Sequence, residues 1–344
     1  MEHKRYLFLL LLLFFSQKIV PQQLPDERLH KIFAEGVSAM ANGDYEKSLN
    51  SFQILSSEYN NLPLGKIMLA ANEIFYSYDY QVPYNEKKIL RLLEEAEEHS
   101  NRLLKNERKN KWNRYYLSLA EGYKTLYEGL TKDWLNMISD GISCISNYNS
   151  ILEIDPAFYE AYIAIGAFKF WRSENIKYLQ WLPFINDERE EGIRLLKLSV
   201  NQNSYHDFLG MDVLFWINMR RGETEKARMI AEESLRKYPD NRLFKMNLAR
   251  YYETTDRRKA IRLYEEVLNA YERNKPLNRI NEVTIKTKIA ISYFELGEVK
   301  KVVEITQPIL KIKDFSKHES LSLAGRLERL SKLNTDAKAA VSKK

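Results

Sequence analysis

The chain is 344 residues long with only 12 Gly and 9 Pro, and it shows no sustained period-two alternation of apolar residues, which argues against a strand-built fold. Its 53 Lys and Arg against 47 Asp and Glu give a formal charge of +6, a mixed surface rather than the one-signed surface of a nucleic-acid binder. The single cysteine, Cys144, excludes an intrachain disulfide.

Lys4 and Arg5 precede an apolar run from Tyr6 to Phe15, which gives way to Ser16-Gln17-Lys18 and Pro21-Gln22-Gln23. A basic stretch before an apolar run of roughly 7–15 residues is the pattern of a secretory signal peptide. A helix of that length covers about half of a hydrocarbon core of about 30 Å, so residues 1–23 are expected to direct export. No small-x-small cleavage site follows, and the alternative is an inner-membrane anchor over residues 6–20. No cysteine follows closely either, which excludes a lipoprotein-type N-terminus. The chain lacks Asn-x-Ser/Thr, which tilts the expectation toward a bacterial periplasm or an outer-membrane-facing location. Residues 1–23 hold three basic residues (Lys4, Arg5, Lys18) and one acidic (Glu2), so the remainder carries +4.

Three similar phrases follow along the chain: Gly43-Asp44-Tyr45-Glu46-Lys47-Ser48, Gly222-Glu223-Thr224-Glu225-Lys226-Ala227 and Gly297-Glu298-Val299-Lys300-Lys301-Val302. Each joins two helix-like stretches, the mark of a solenoid whose helix pairs bury their apolar faces only by stacking. Asp155-Pro156-Ala157-Phe158 and Tyr238-Pro239-Asp240-Asn241 read as junctions between pairs, with proline ending one pair. Small residues such as Gly36, Gly166, Ala227, Ala231, Ala249 and Ala260 permit close helix approach, and Tyr, Phe and Leu fill the space between pairs.

These motifs resemble the tetratricopeptide repeat (TPR), a helix-turn-helix unit of about 34 residues. The resemblance implies an all-α, right-handed α-solenoid of stacked antiparallel helix pairs spanning residues 24–333 as one domain. The units read as 29–62, 63–107, 109–155, 157–202, 204–239, 242–273 and 276–311. The second and third are longer than the family pattern. A capping helix is expected at about 314–333, and a flexible tail at 334–344. In the sixth unit Thr255-Asp256-Arg257-Arg258 replaces the glycine turn and is one residue short.

Catalytic constellations are missing from the sequence. His3, His30, His99, His206 and His318 are scattered without an i, i+4 pair, and there is no GxSxG, Walker-type or Rossmann pattern. Carboxylate runs such as Glu94–Glu98 and Asp187–Glu191 read as solvated helix faces, as do the basic clusters at Lys105–Lys111 and Arg257–Lys259. Cys144 reads as a packed thiol. No metal site, cofactor or nucleic-acid partner is expected.

In the TPR family the first helix of each pair lines a concave surface. The resemblance therefore implies a groove carrying Phe170 and Trp171, then Asp212, Trp216, Met219 and Arg220, then Met246, Arg250 and Glu253. Aromatic, methionine and arginine side chains are enriched at binding hot spots; packing between repeats explains Trp216 equally well and is the better reading of Phe170. The Lys and Asn clamp by which some family members hold chaperone C-termini is replaced here by Asp212 and Trp216. One further segment, Tyr178 to Ile185, sets Trp181, Leu182 and Phe184 close together as a possible apolar contact loop for a partner or a membrane, or as a flap over its own helices. The expected function is a non-enzymatic scaffold of a bacterial envelope that binds a protein or peptide in its groove. The alternatives are a membrane-anchored adaptor using the 178–185 loop and a hydrolase built across several repeats.

Overall fold

The computed structural model describes residues 23–175, 186–273 and 279–342. The N-terminal apolar segment and the loop carrying Trp181, Leu182 and Phe184 lie outside the described residues. The described residues form fifteen helices and no strand. The first three pairs are α1 (Glu27–Ala41) with α2 (Tyr45–Glu58), α3 (Leu64–Tyr80) with α4 (Glu86–Asn106), and α5 (Lys111–Thr131) with α6 (Trp134–Ile154). The fourth and fifth are α7 (Ala161–Asn175) with α8 (Arg189–Asn201), and α9 (Asp207–Arg220) with α10 (Thr224–Lys237). Then follow α11 (Arg242–Thr255) with α12 (Arg257–Arg273), α13 (Arg279–Glu295) with α14 (Val299–Leu310), and the terminal helix α15 (Lys317–Ser342). Each helix packs on its chain neighbours, as expected of a stack of helix pairs.

Short polar residues start many of these helices by accepting a bond from an otherwise unpaired backbone N–H. Asp26 takes the Leu29 N–H at 2.7 Å, Asn110 the Trp112 N–H at 2.9 Å and Asn241 the Phe244 N–H at 2.8 Å. The three repeated phrases share one turn: Gly43, Gly222 and Gly297 all lie at positive φ, between +73° and +77°. The short sixth-unit turn leaves only Asp256 between α11 and α12, and its carboxylate caps the Lys259 N–H at 3.0 Å.

Gly166 and Gly192 bring α7 and α8 together more closely than any side chain allows. A Cβ on Gly166 would stand 2.7 Å from the Gly192 carbonyl oxygen, and one on Gly192 2.6 Å from the Gly166 oxygen. Gly166→Ala is expected to cost about 1–3 kcal/mol through overpacking. Gly222→Ala meets no atom within 4 Å and is expected to cost only about 1–2 kcal/mol of backbone strain. Urea unfolding of the two variants checks the order; a smaller loss for Gly166→Ala would mean that α7 and α8 separate freely.

The stack curls until its beginning meets its later pairs. The largest core cluster runs from Leu24, Phe33 and Met40 to Phe208, Met211, Tyr238 and Phe244. Polar contacts cross the same seam: Leu24 N–H donates to the Tyr205 hydroxyl at 3.0 Å, Asn241 Nδ2 to the Ala41 carbonyl at 2.5 Å, and Arg242 pairs with Asp79. Buried polar groups need such partners, so closure is specific rather than a loose collapse.

The end of the chain departs from expectation. The terminal helix continues to Ser342, so residues 334–342 are ordered helix and not a flexible tail. Ala337 is buried and Asn334 accepts a 3.0 Å bond from the Thr306 hydroxyl, which ties this last stretch to α14. Apolar contacts to Ala290 and Val302 complete the anchoring.

Candidate protein-binding groove

On α9, residues 212, 216, 219 and 220 follow helical spacing and share one face. That face, with Trp171 from α7 and Val213, lines an open depression of about 610 Å³. The next first helix, α11, adds Asn247 and Arg250 one turn apart. Asn247 Nδ2 donates to Asp212 Oδ1 at 2.8 Å, and the Trp216 indole N–H donates to the same carboxylate. Burial pushes the Asp212 carboxyl up to about 6, while these two bonds pull the other way. Its charge is thus set by the surrounding side chains and is sensitive to mildly acidic pH.

Arg250 lies over the Trp216 ring, its guanidinium carbon 4.6 Å from the centroid. No carboxylate among the described residues forms an ion pair with it, and the residue is half-buried. Arg220 differs, because its Nε donates to Glu174 at 2.9 Å and Glu174 also takes Arg189 at 3.1 Å. Further along, Glu253 accepts from the Tyr264 hydroxyl at 2.6 Å and from Lys288 at 2.8 Å, which fixes it to α12 and α13.

The structure sorts the residues that the sequence placed in the groove. Trp171, Asp212, Trp216, Met219 and Arg220 come together at the depression, and Arg250 joins them through Trp216. Phe170 does not: it is 1% exposed and packs with Ile193, Leu196 and Leu214. One residue along a helix turns the side chain by about 100°, so Phe170 is enclosed in that cluster while Trp171 packs at its margin, 5.2 Å from the Phe170 ring, and also lines the depression. Met246 packs against the core cluster of the later repeats, and so does one flank of Trp216. Packing, one of the two readings of Trp216, thus describes one flank of the ring. Asn247 escaped the sequence reading, although its position three residues before Arg250 put it on the same helix face.

Elsewhere, among the described residues, no three His, Cys, Asp or Glu side chains are placed to hold a metal ion. Cys144 is buried, and burial raises its thiol well above the usual range, which leaves it inert as a nucleophile.

No family model matches the chain, and no curated relative matches it in sequence. Among solved structures it is similar to human IFIT1, as a dimer with PPP-AAAA, at 14% identity over 88% of this chain and 69% of that one, with a TM-score of 0.45. It is also similar to yeast Tom70, at 10% identity over 91% of this chain and 81% of that one (TM-score 0.36), and to the P58(IPK) TPR domain, at 13% identity over 90% and 99% (TM-score 0.27). At these identities and TM-scores no residue and no role is transferred from them.

Proposed function

We propose that this chain is a non-enzymatic scaffold that holds a polypeptide segment of a partner in the groove bounded by Trp171, Asp212, Trp216 and Arg250. The observation that carries this reading is the Arg250 guanidinium, stacked on Trp216, a residue that lines an open depression, with no carboxylate ion-pair partner among the described residues. Such a cation is oriented by the indole, loses little freedom on binding, and offers forked donors to a carbonyl or carboxylate. The neighbouring Trp171 and Met219 supply apolar area, and packed repeats behind them preorganise the surface.

Selection of the full chain against a displayed library of random peptides tests this. Arg250→Ala is expected to weaken the selected peptide about tenfold or more while leaving the melting temperature nearly unchanged. Trp216→Ala should weaken it further with some loss of stability, since one flank of that ring is core. If no peptide is selected, or if Arg250→Ala binds as well as wild type, the groove reading falls.

The same proposal places the protein in a bacterial envelope, exported by the segment from Lys4 to Phe15. A mature N-terminus near residues 17–24 in a soluble fraction supports export. An intact Met1 in the membrane fraction supports the anchored alternative.

A further inference from the structure

The seam of the curled array is fastened at two places. At one, Asp79 near the end of α3 is 3% exposed and accepts from the Tyr45 hydroxyl of α2 at 3.0 Å, Arg242 Nε of α11 at 3.0 Å and the Tyr271 hydroxyl of α12 at 2.5 Å, a clasp made of long side chains. At the other, three consecutive residues leading into α9 reach three separate parts of the chain. Tyr205 meets Leu24 and His30 near the N-terminal end, the His206 ring pairs with Glu160 ahead of α7, and Asp207 accepts from the Tyr238 hydroxyl at 2.5 Å and from Lys237. Of these three, only Tyr205 hydrogen-bonds to the beginning of the chain.

The proton positions at Tyr205 follow from its partners. The Leu24 N–H donates to the hydroxyl oxygen at 3.0 Å, and His30 Nδ1 lies 2.6 Å from the same oxygen. Among the described residues no other acceptor stands within hydrogen-bond distance of that hydroxyl, so it donates to Nδ1, and His30 carries its own proton on Nε2. Burial raises the Tyr205 phenol, which therefore stays protonated at ordinary pH. A proton added to His30 lands on Nδ1, the ring nitrogen that has none. Two donors, Leu24 N–H and His30 Nδ1–H, then meet one oxygen, and the hydroxyl proton loses its acceptor beside the Phe33 ring, whose centroid is 4.7 Å from that of Tyr205. Around His30 stand Asp26 and Glu27 at the start of α1 and Tyr59 after α2, while Glu160, Tyr116 and His206 lie behind Tyr205. Burial lowers the His30 ring, and Glu27 opposes that shift.

We propose that the chain of bonds from Leu24 through Tyr205 to His30 is a pH-sensitive catch: neutral His30 fastens the N-terminal stretch to the start of α9, and protonated His30 releases it while the Asp79 clasp stays closed. A ring whose folded pKa lies below its unfolded value favours the fastened state fully above about 6.5, and that contribution is lost as pH falls from there through the lowered value. Release is local. The start of α1 remains tied to α2, because the Tyr59 hydroxyl donates to Asp26 at 2.8 Å, and α9 keeps its bonds through His206 and Asp207. Leu24 is where the segment carrying the Tyr6–Phe15 run joins the folded array, so release lengthens the free tether between the two.

Hydrogen exchange at the Leu24 amide of the full chain, expressed as protection over the intrinsic rate at each pH, tests the catch. Protection is expected to fall about fivefold or more between about pH 7.5 and about pH 5. Global stability should move the other way over this range, because the Glu97 and Glu128 carboxyls, raised to about 7, bind their protons more tightly when folded. A fall at Leu24 therefore reports local release and not unfolding. His30→Asn keeps an amide oxygen near the place of Nδ1 and does not titrate, so its Leu24 protection should stay level with pH. Tyr205→Phe should show low protection at both pH values. Wild-type protection that holds level or rises on acidification overturns the catch, and so does an equal fall in His30→Asn. The wild-type series needs no substitution, so a variant that fails to fold leaves the decision intact.

Discussion

Replacing Arg242 by methionine is expected to lower the unfolding free energy by about 3–5 kcal/mol. Both partners are sequestered, Arg242 at 5% exposed and Asp79 at 3%, so removing the cation leaves a buried carboxylate with only hydroxyl donors. Burial opposes the Arg242 charge, and the adjacent Asp79 carboxylate more than offsets that penalty in the folded chain. Arg28→Met provides the contrast. Its pair with Glu58 is 67% and 43% exposed, and its loss should cost no more than about 1 kcal/mol. Asp79→Leu combined with Arg242→Met should recover part of the loss, because no lone charge then remains inside. Urea denaturation of the four chains measures these differences. Equal midpoints for the Arg242 and Arg28 variants would show that the seam is solvated and the array open.

The helix pairs were legible because their signals are local. A glycine at positive φ, a short acid or amide at a helix start and small residues at close approaches each act within a few positions, and the chain repeats them. Closure was not legible, because Asp79 meets Arg242, Tyr271 and Asn281 across intervals of 163, 192 and 202 residues. The repeated phrases illustrate the difference. Gly43, Gly222 and Gly297 share a conformation, yet a Cβ on Gly43 would press on Arg242 Nη2 at 2.8 Å, whereas the other two face open space. No local pattern distinguishes the glycine that also makes room for a clasp.

The groove was partly legible for a related reason. Repeat register assigns residues to the first helix of a pair, and that was enough to assemble Trp171, Asp212, Trp216, Met219, Arg220 and Arg250. Register does not separate neighbouring residues of one helix, so Phe170 was drawn into the groove when it belongs to the core. The terminal stretch misled for a compositional reason. Its small and charged residues suggest fraying, but buried Ala337 and the bond between Thr306 and Asn334 hold it as helix.

Stability is expected to fall by about 3 kcal/mol as pH rises from about 5 to about 8, because of carboxyls held between α4, α5 and α6. Glu97, Glu121, Glu128 and Asp140 converge there on one ammonium, Lys124, which lies 2.9 Å from Asp140 and 4.0 Å from Glu97. Burial is the main cause that raises Glu97 and Glu128 to about 7 each from an ordinary 4.5; Asp140 contributes to the rise and Lys124 offsets part of it. Glu94 adds to the rise at Glu97, and Asp133 to that at Glu128. One oxygen on each of these two carboxyls is buried without a hydrogen-bond partner, the local reason that ionisation is costly. A carboxyl with a raised folded pKa binds its proton more tightly when folded. Its stability contribution is therefore complete below about 4.5 and is lost as pH climbs through about 7. The two carboxyls share Lys124, so their losses overlap and the total stays near that of one group shifted by its full amount. Glu128→Gln keeps the shape and cannot ionise; it should flatten the pH dependence and exceed wild type in stability near pH 8. Lys124→Met should do the reverse, steepening the fall by removing the cation that offsets the rise at Glu97 and Glu128. A wild-type urea midpoint that stays level across this range would mean that water reaches the cluster and the carboxyls titrate as they do in the unfolded chain.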